Sequence, residues 1–323
     1  MKRKPVEYLI LMFKGIAMGA ADVIPGVSGG TIAFITGIYE ELIDSIKSVG
    51  SKSLLLLTKK HGIGQFFEAI NARFLISVIL GIGISFISLA KLMQYLLTYY
   101  PIFVWSFFFG LILASVWFIG KTVEKWNIPV YISFILGIVI GFWITIISPT
   151  ETTNALWFIF LSGAIAICAM ILPGISGSFI LLLLGKYAFM MGAISSFDFP
   201  IILIFLGGAV VGLLLFSNVL SWFLHHYKSI TISLLTGFML GSLNKVWPWK
   251  IAIQTYIDKS GAVKPLIEKN VLPDTFKYTN GLEPYTLWAI LFAVLGVVVI
   301  LLLERITIKK ENTDDIFRQQ LGF

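Results

Sequence analysis

Two runs of this chain place helix-breaking residues beside hydroxyls and bare backbone: Pro25-Gly26-Val27-Ser28-Gly29-Gly30-Thr31 and Pro173-Gly174-Ile175-Ser176-Gly177-Ser178. Proline lacks an N–H and clashes with the preceding turn, so each run ends an incoming helix. Gly26 and Gly174 permit the reversal that follows. Ser28 and Ser176 are favourable N-caps for an outgoing helix. A helix start carries unpaired N–H groups and the positive end of the backbone dipole, which suits an anion such as phosphate. Ser28, Gly29, Gly30 and Thr31 in one run, with Ser176, Gly177 and Ser178 in the other, therefore form two sets of donors for one negative group. A single run of this kind reads as a kink that the fold needs. A second copy in an equivalent position tips the reading towards a shared binding site.

Charged residues lie close to both runs. Asp22 sits three residues before Pro25, and its counterpart in the second copy is Met170. A lone acid at that depth is costly in lipid. Two roles stand open for it: carrying a coupling proton, or accepting from backbone N–H groups of the turn. Lys14 precedes the first run and Lys186 follows the second. Either can add positive charge for an anion or extend its head to a lipid headgroup. Lys14 is counted with the site; Lys186 and Lys91 are expected to reach headgroups. Glu40, Glu41 and Asp44 are expected to form a solvated helix end. His225 and His226 stand beside Lys228, expected to have no acidic or cysteine partner nearby, so no metal site is expected, and no cofactor.

These runs are held by a chain that repeats itself. At an offset of 148 positions Gly15 aligns with Gly163, Ala21 with Ala169, Gly37 with Gly185 and Tyr39 with Tyr187. Two halves are expected, 1–150 and 151–323, within one transmembrane domain. Of the 323 residues, 58% are hydrophobic and 13% charged, and the mean hydropathy is +0.92. A water-soluble domain cannot hide that much apolar surface, so a multi-pass membrane protein is expected. The single cysteine, Cys168, excludes an internal disulfide and a cysteine-based metal cluster. The net charge of +7 is expected to face anionic headgroups rather than nucleic acid. No small-residue cleavage site follows the basic start, so no signal peptide is expected.

Ten apolar segments can be read: 6–24, 30–46, 74–98, 102–120 and 128–148, then 155–172, 178–194, 199–224, 230–243 and 285–303. Each Pro-Gly run falls between the first and second segments of its half. The expected fold is all-α and integral to the membrane. It consists of two inverted-topology repeats, each a re-entrant helix hairpin plus three transmembrane helices. Three crossings per half turn the second half upside down and put the N- and C-termini in the cytoplasm. Lys2, Arg3, Lys4, Lys47, Lys52, Lys59, Lys60, Arg73, Lys121, Lys125, Lys228, Arg305, Lys309, Lys310 and Arg318 then lie inside, and the outer links 99–101 and 149–154 carry no lysine or arginine. This is the positive-inside pattern. Residues 245–283 dissent, falling outside with six lysines against four acids. Short loops dominate orientation, so the length of this one weakens the objection. Glycines four apart, at Gly15/Gly19, Gly137/Gly141, Gly208/Gly212 and Gly237/Gly241, are read as close helix packing.

The stretch Gly19-Ala20-Ala21-Asp22-Val23-Ile24-Pro25-Gly26-Val27-Ser28-Gly29-Gly30-Thr31, followed by Gly37-Ile38-Tyr39-Glu40, resembles the bacterial polyprenyl-phosphate (undecaprenyl-phosphate) transporter family, formerly a domain of unknown function. Residues 169–178 with Gly185-Lys186-Tyr187 match that family's other motif, and the resemblance covers nearly the whole chain. It implies a flippase of the bacterial cytoplasmic membrane. Such a protein returns undecaprenyl phosphate, the lipid carrier of cell-wall (peptidoglycan) synthesis, to the cytoplasmic leaflet. The residues themselves give a membrane-embedded anion site and do not name the lipid. Membrane undecaprenyl-pyrophosphate phosphatases are also similar, but there an arginine follows the serine of the Pro-Gly-x-Ser phrase. Here Gly29 and Gly177 take that place and neither hairpin holds an arginine. The charge that develops in phosphoryl transfer is then harder to stabilise. An inorganic anion transporter needs the same site without room for a tail. The expectation is a transporter and not an enzyme, with undecaprenyl phosphate and bilayer lipid as partners and no nucleic acid. Alternating access moves a phosphate held between the two tips near mid-membrane.

Overall fold

Proline marks the start of several helices, where its missing N–H costs nothing. It stands in the first turn of α1 (Pro5–Asp22), α7 (Pro101–Lys121), α8 (Ile128–Ile146) and α12 (Phe199–His226). The Asn127 side chain accepts from the Val130 amide at 3.2 Å and the Asp198 side chain from the Ile201 amide at 3.3 Å, which fixes where α8 and α12 begin. The structure is a computed structural model that describes residues 3–23, 27–50, 62–150, 152–257 and 263–321. The first half continues from α1 through α2 (Gly29–Ile35), α3 (Tyr39–Ser48), α4 (Gly62–Ala69), α5 (Ala72–Ser88) and α6 (Ala90–Tyr99) to α7 and α8. The second half holds α9 (Leu156–Ile171), α10 (Gly177–Leu183), α11 (Tyr187–Ser195), α12 and α13 (Lys228–Ser242). A two-stranded sheet, α14 (Pro273–Asn280) and α15 (Thr286–Leu321) follow.

The second segment of each half is not one helix. Segment 30–46 is broken between α2 and α3 at Gly37, and 178–194 between α10 and α11 at Gly185. Both glycines take left-handed φ, +70° and +63°, which a side chain would strain. The bend between α10 and α11 is 110°, too sharp for a straight crossing. Segment 74–98 is likewise split, at Leu89. Among the described residues three helices, α7, α8 and α12, are long and apolar enough to cross a membrane, or up to five spans if the bent pairs α4/α5 and α10/α11 each count as one. The chain is a helical, multi-pass membrane protein.

Helices pair along glycine seams, as the spacing predicts. Gly15 of α1 lies on the backbone of Val78 in α5, and Gly208 of α12 on that of Phe160 in α9. Gly137 of α8 meets Leu234 of α13, and Gly237 of α13 meets Phe134. Gly110 of α7 meets Ala293 of α15, and Gly296 meets Phe107. A Cβ at any of these would run into main chain, so each seam sets backbone on backbone. The members of each pair run parallel. The fourth segment of one half thus pairs with the fifth of the other, in both directions.

Two faces result. At the N-terminal face the start of α1, α3, the start of α5, the end of α12 and the start of α13 come together through ion pairs and hydrogen bonds. The opposite face carries residues 245–257 and 263–283, whose structure the sequence did not foretell. Here β1 (Lys250–Ile257) pairs antiparallel with β2 (Val263–Asn270), Lys250 opposite Asn270, with an irregularity near Gln254. This small sheet is an addition to the all-α expectation. Trp249, Phe276, Ile102 and Ala289 form an apolar cluster that fixes it to α7 and α15.

Candidate functional site

α1 leads inwards from the N-terminal face and α9 from the sheet face. Their tips meet. The hydroxyl of Thr31 accepts from the Gly174 amide at 2.9 Å. The Ser28 hydroxyl donates to the carbonyl of Met170 at 2.7 Å, and the buried Tyr39 hydroxyl to that of Ile171 at 3.3 Å. Glycines make this approach possible. A Cβ on Gly30 would strike the Ile171 carbonyl, and one on Gly29 would sit 2.5 Å from the Asp22 carboxylate. Gly174, at φ +94°, faces the Ser242 hydroxyl and Met239. Gly177 lies over the Ala166 carbonyl. Pro25 and Gly26 lie outside the described residues.

The two tips treat their donors differently. Ser28 is the N-cap of α2, as expected, and accepts from the Gly30 amide at 3.0 Å. The Thr31 amide reaches the Ser28 carbonyl at 2.9 Å. The Gly29 amide donates to Asp22 at 2.6 Å. Of the two roles left open for Asp22, the backbone acceptor is therefore visible directly. Ser176 stands at the N-cap of α10 but makes no capping bond; its hydroxyl pairs with that of Ser178 at 2.6 Å. The amides of Gly177, Ser178 and Phe179 have no acceptor among the described residues. Ser28 and Thr31 are 0% exposed and Ser176 3%, so the tips are closed on each other.

The lysines fall elsewhere. Lys14 does not join the tips. It donates to the Thr36 carbonyl at 2.6 Å, because α2 folds back along α1 and presents its C-terminal end there. Together with Arg3, Glu7, Gly37 and Glu41, Lys14 borders a cavity of ≈ 150 Å³ at the N-terminal face. Lys186 does not reach a headgroup. It is 1% exposed, donates to the Thr152 carbonyl at 2.6 Å and the Asn154 side chain at 2.7 Å, and lies near the rings of Phe158 and Phe189. Segment 152–154 supplies the oxygens that lipid would otherwise provide.

The acids of α3 are not simply a solvated end. Arg3 donates to both Glu41 oxygens, at 2.6 and 2.5 Å, and this bond raises the arginine's pKa above its ordinary value. Lys228 pairs with Glu40 at 2.8 Å. Ser221 donates to Asp44 at 2.6 Å, and Nε2 of His225 stands 3.6 Å from the same carboxylate. The expectation that His225 has no acidic neighbour is overturned, because α3 lies alongside the end of α12. These contacts close the N-terminal face between α3 and the α12–α13 corner.

At the sheet face a cavity of ≈ 310 Å³ opens between the ends of α8 and α10 and the sheet. Lys245, Lys250, Glu268 and Lys269 line it. Lys245 and Lys250 lie 3.5 and 3.8 Å from the Glu268 carboxylate. Lys250 also sits 4.0 Å above the Trp105 ring and donates to the Lys245 carbonyl at 2.7 Å. Burial pulls its pKa down to about 8, Glu268 acting against that and Lys245 with it. Sequence reasoning did not pick out this cluster. The signal was there in the lysine surplus of 245–283, which ran against the positive-inside pattern.

Comparison with known proteins gives the family. A family model described as undecaprenyl phosphate translocase-like matches residues 18–264. A protein of Vibrio cholerae named polyprenyl-phosphate transporter is 47% identical over 305 residues, covering 94% of this chain and 99% of the relative. One of Staphylococcus aureus with the same name is 36% identical over 257 residues, covering 74% of this chain and 86% of the relative. No solved structure matches. These names are those of transporters, not of phosphatases. The chain belongs to the undecaprenyl phosphate translocase-like family.

Proposed function

We propose that this protein carries undecaprenyl phosphate across the bacterial cytoplasmic membrane, returning it to the cytoplasmic leaflet for reuse in cell-wall synthesis. The observation that carries the reading is the bond between Thr31 and Gly174, which joins two interrupted helices arriving from opposite faces. In this reading the halves 1–150 and 151–323 are inverted repeats, each with a re-entrant hairpin, and both termini are cytoplasmic. The parallel exchange of fourth and fifth segments supports that symmetry.

The phosphate lodges between the tips, held by amides and hydroxyls of Ser28, Gly29, Gly30, Thr31, Ser176, Gly177 and Ser178, with Gly174 shaping its turn and Gly26 retained as a candidate from the sequence alone. The free amides of α10 favour an anion there. Lodging requires the closed tips to part, the phosphate taking Thr31's place on the Gly174 amide. The tail stays in the bilayer. With the tips buried against each other and a cavity at each face, the arrangement is read as the occluded member of an alternating-access cycle. Asp22 gives the cycle a proton: a protonated carboxyl holds the Gly29 amide less firmly than a carboxylate, which frees that donor for the phosphate.

Proteoliposomes loaded with labelled undecaprenyl phosphate, read one leaflet at a time across a range of pH, test this. The expected result is protein-dependent movement that Ser28→Ala with Ser176→Ala abolishes. Movement of inorganic phosphate but no lipid phosphate overturns the reading in favour of a solute transporter.

A further inference from the structure

The cavity at the sheet face is separate from the tips and has its own charge. Lys245, Lys250 and Lys269 line it together with one carboxylate, Glu268; Lys245 and Lys250 are sheltered beside that carboxylate, and Lys269 is exposed at the cavity's edge. Glu268 reaches both Lys245 and Lys250, so it neutralises at most one of them. Aromatic faces steady the cations without cancelling their charge: Trp105 beneath Lys250 at 4.0 Å, and Phe179 beside Lys245 at 4.7 Å. Sheltering ammonium groups with too few carboxylates is costly, and an anion relieves the cost. The lining also includes the apolar side chains of Ile146 and Ile253, both largely exposed. The cavity also adjoins the second tip. Phe179 follows Ser178 directly, and the 3₁₀ turn bearing Lys245 follows Ser242, which touches Gly174.

We infer that this cavity binds the head of an amphiphilic phosphate monoester, the lysines taking the phosphate and the exposed Ile146 and Ile253 taking the start of the chain. Such a head carries about −1.5 to −2 charges at neutral pH, which matches the lysine surplus. It is the station a lipid phosphate occupies at the sheet face before it moves to the tips, and in that respect the inference rests on the transport reading above. Glu268 competes with the phosphate for the same ammonium groups.

Full-length protein in detergent is titrated with farnesyl phosphate, and binding is followed by tryptophan fluorescence, Trp105 lying under Lys250. Inorganic phosphate and farnesol are titrated in parallel. Lys269→Gln and Lys245→Gln are each expected to weaken farnesyl phosphate binding about tenfold, the loss of one charge-assisted contact. Glu268→Gln is expected to tighten it about threefold. A residue that only anchors the sheet gives the opposite sign, so tighter binding separates the two roles. Wild-type affinity in both lysine variants, or weaker binding in Glu268→Gln, overturns the inference. Equal affinity for inorganic phosphate overturns its amphiphilic part and leaves a plain anion site. Failure here is distinct from failure of the transport reading. Leaflet-resolved movement of undecaprenyl phosphate by wild-type protein can proceed with an unresponsive cavity, and the titration can succeed in a protein that moves no lipid.

Discussion

Thr31 and Gly174, 143 residues apart, join hydroxyl to amide at 2.9 Å at the crossing of the two interrupted helices. Each tip is thereby the other's ligand. The Thr31 hydroxyl accepts from an amide that, in the transport reading proposed above, the incoming phosphate takes over.

Thr31→Val keeps the shape and removes the acceptor. The buried Gly174 amide is left without a partner, which costs about 1–3 kcal/mol. A lower melting temperature in detergent is expected for Thr31→Val, and a near-native one for Thr31→Ser. Equal melting of the two variants would show that the bond contributes nothing.

Close approach at Gly30 is tested by adding one methyl group. Gly30→Ala pushes against the Ile171 carbonyl and forces the tips apart. Gly37→Ala meets no neighbour within 4 Å and carries only backbone strain at φ +70°, on the order of 1–2 kcal/mol. Transport in proteoliposomes is expected to fail in Gly30→Ala and to survive in Gly37→Ala.

Asp22 separates its two roles by substitution. Asp22→Asn retains an oxygen for the Gly29 amide and is expected to melt close to wild type. Asp22→Ala strands that amide and loses about 1–3 kcal/mol. If the carboxyl also carries a proton, transport by Asp22→Asn loses its pH dependence; a profile identical to wild type removes the proton role.

Lys250 predicts a pH effect on stability. Its pKa falls from 10.5 to about 8 on folding, so the unfolded chain binds this proton more tightly. The resulting cost is present in full below pH 8 and vanishes as pH rises from there to 10.5, so wild-type stability gains over that window. Lys250→Met lacks this gain. Melting temperatures of the two proteins at pH 7 and pH 10 are expected to shift in favour of wild type at the higher pH.

Much of this site is legible in the sequence because proline, glycine and serine act locally. Pro173, Gly174 and Ser28 constrain their own turn whatever packs around them, and the repeat at Gly37 and Gly185 marks the second break in each half. Partnerships are less legible. Nothing local to Lys186 announces the oxygens of Thr152 and Asn154, and nothing near Asp44 announces Ser221. Both pairings depend on where distant helices end. Lys14 was misplaced for the same reason: its height on α1 is clear, but the shortness of α2, which sets what stands opposite, is not. The strand at 250–257 did leave a trace in its β-branched Ile251, Ile253, Thr255 and Ile257, ahead of Asp258 and Gly261.

The exchanged glycine seams have a consequence for ancestry. Cut the chain at position 150 and Gly110, Gly137 and Gly141 lose the backbones of α13 and α15 on which they rest. Each fragment would keep its inner seam, Gly15 on Val78 or Gly208 on Phe160, but could not cover the glycines of its last two helices. If the chain arose by duplication of a shorter gene, the ancestral product had to work as an interlocked pair, and fusion made that interlocking permanent.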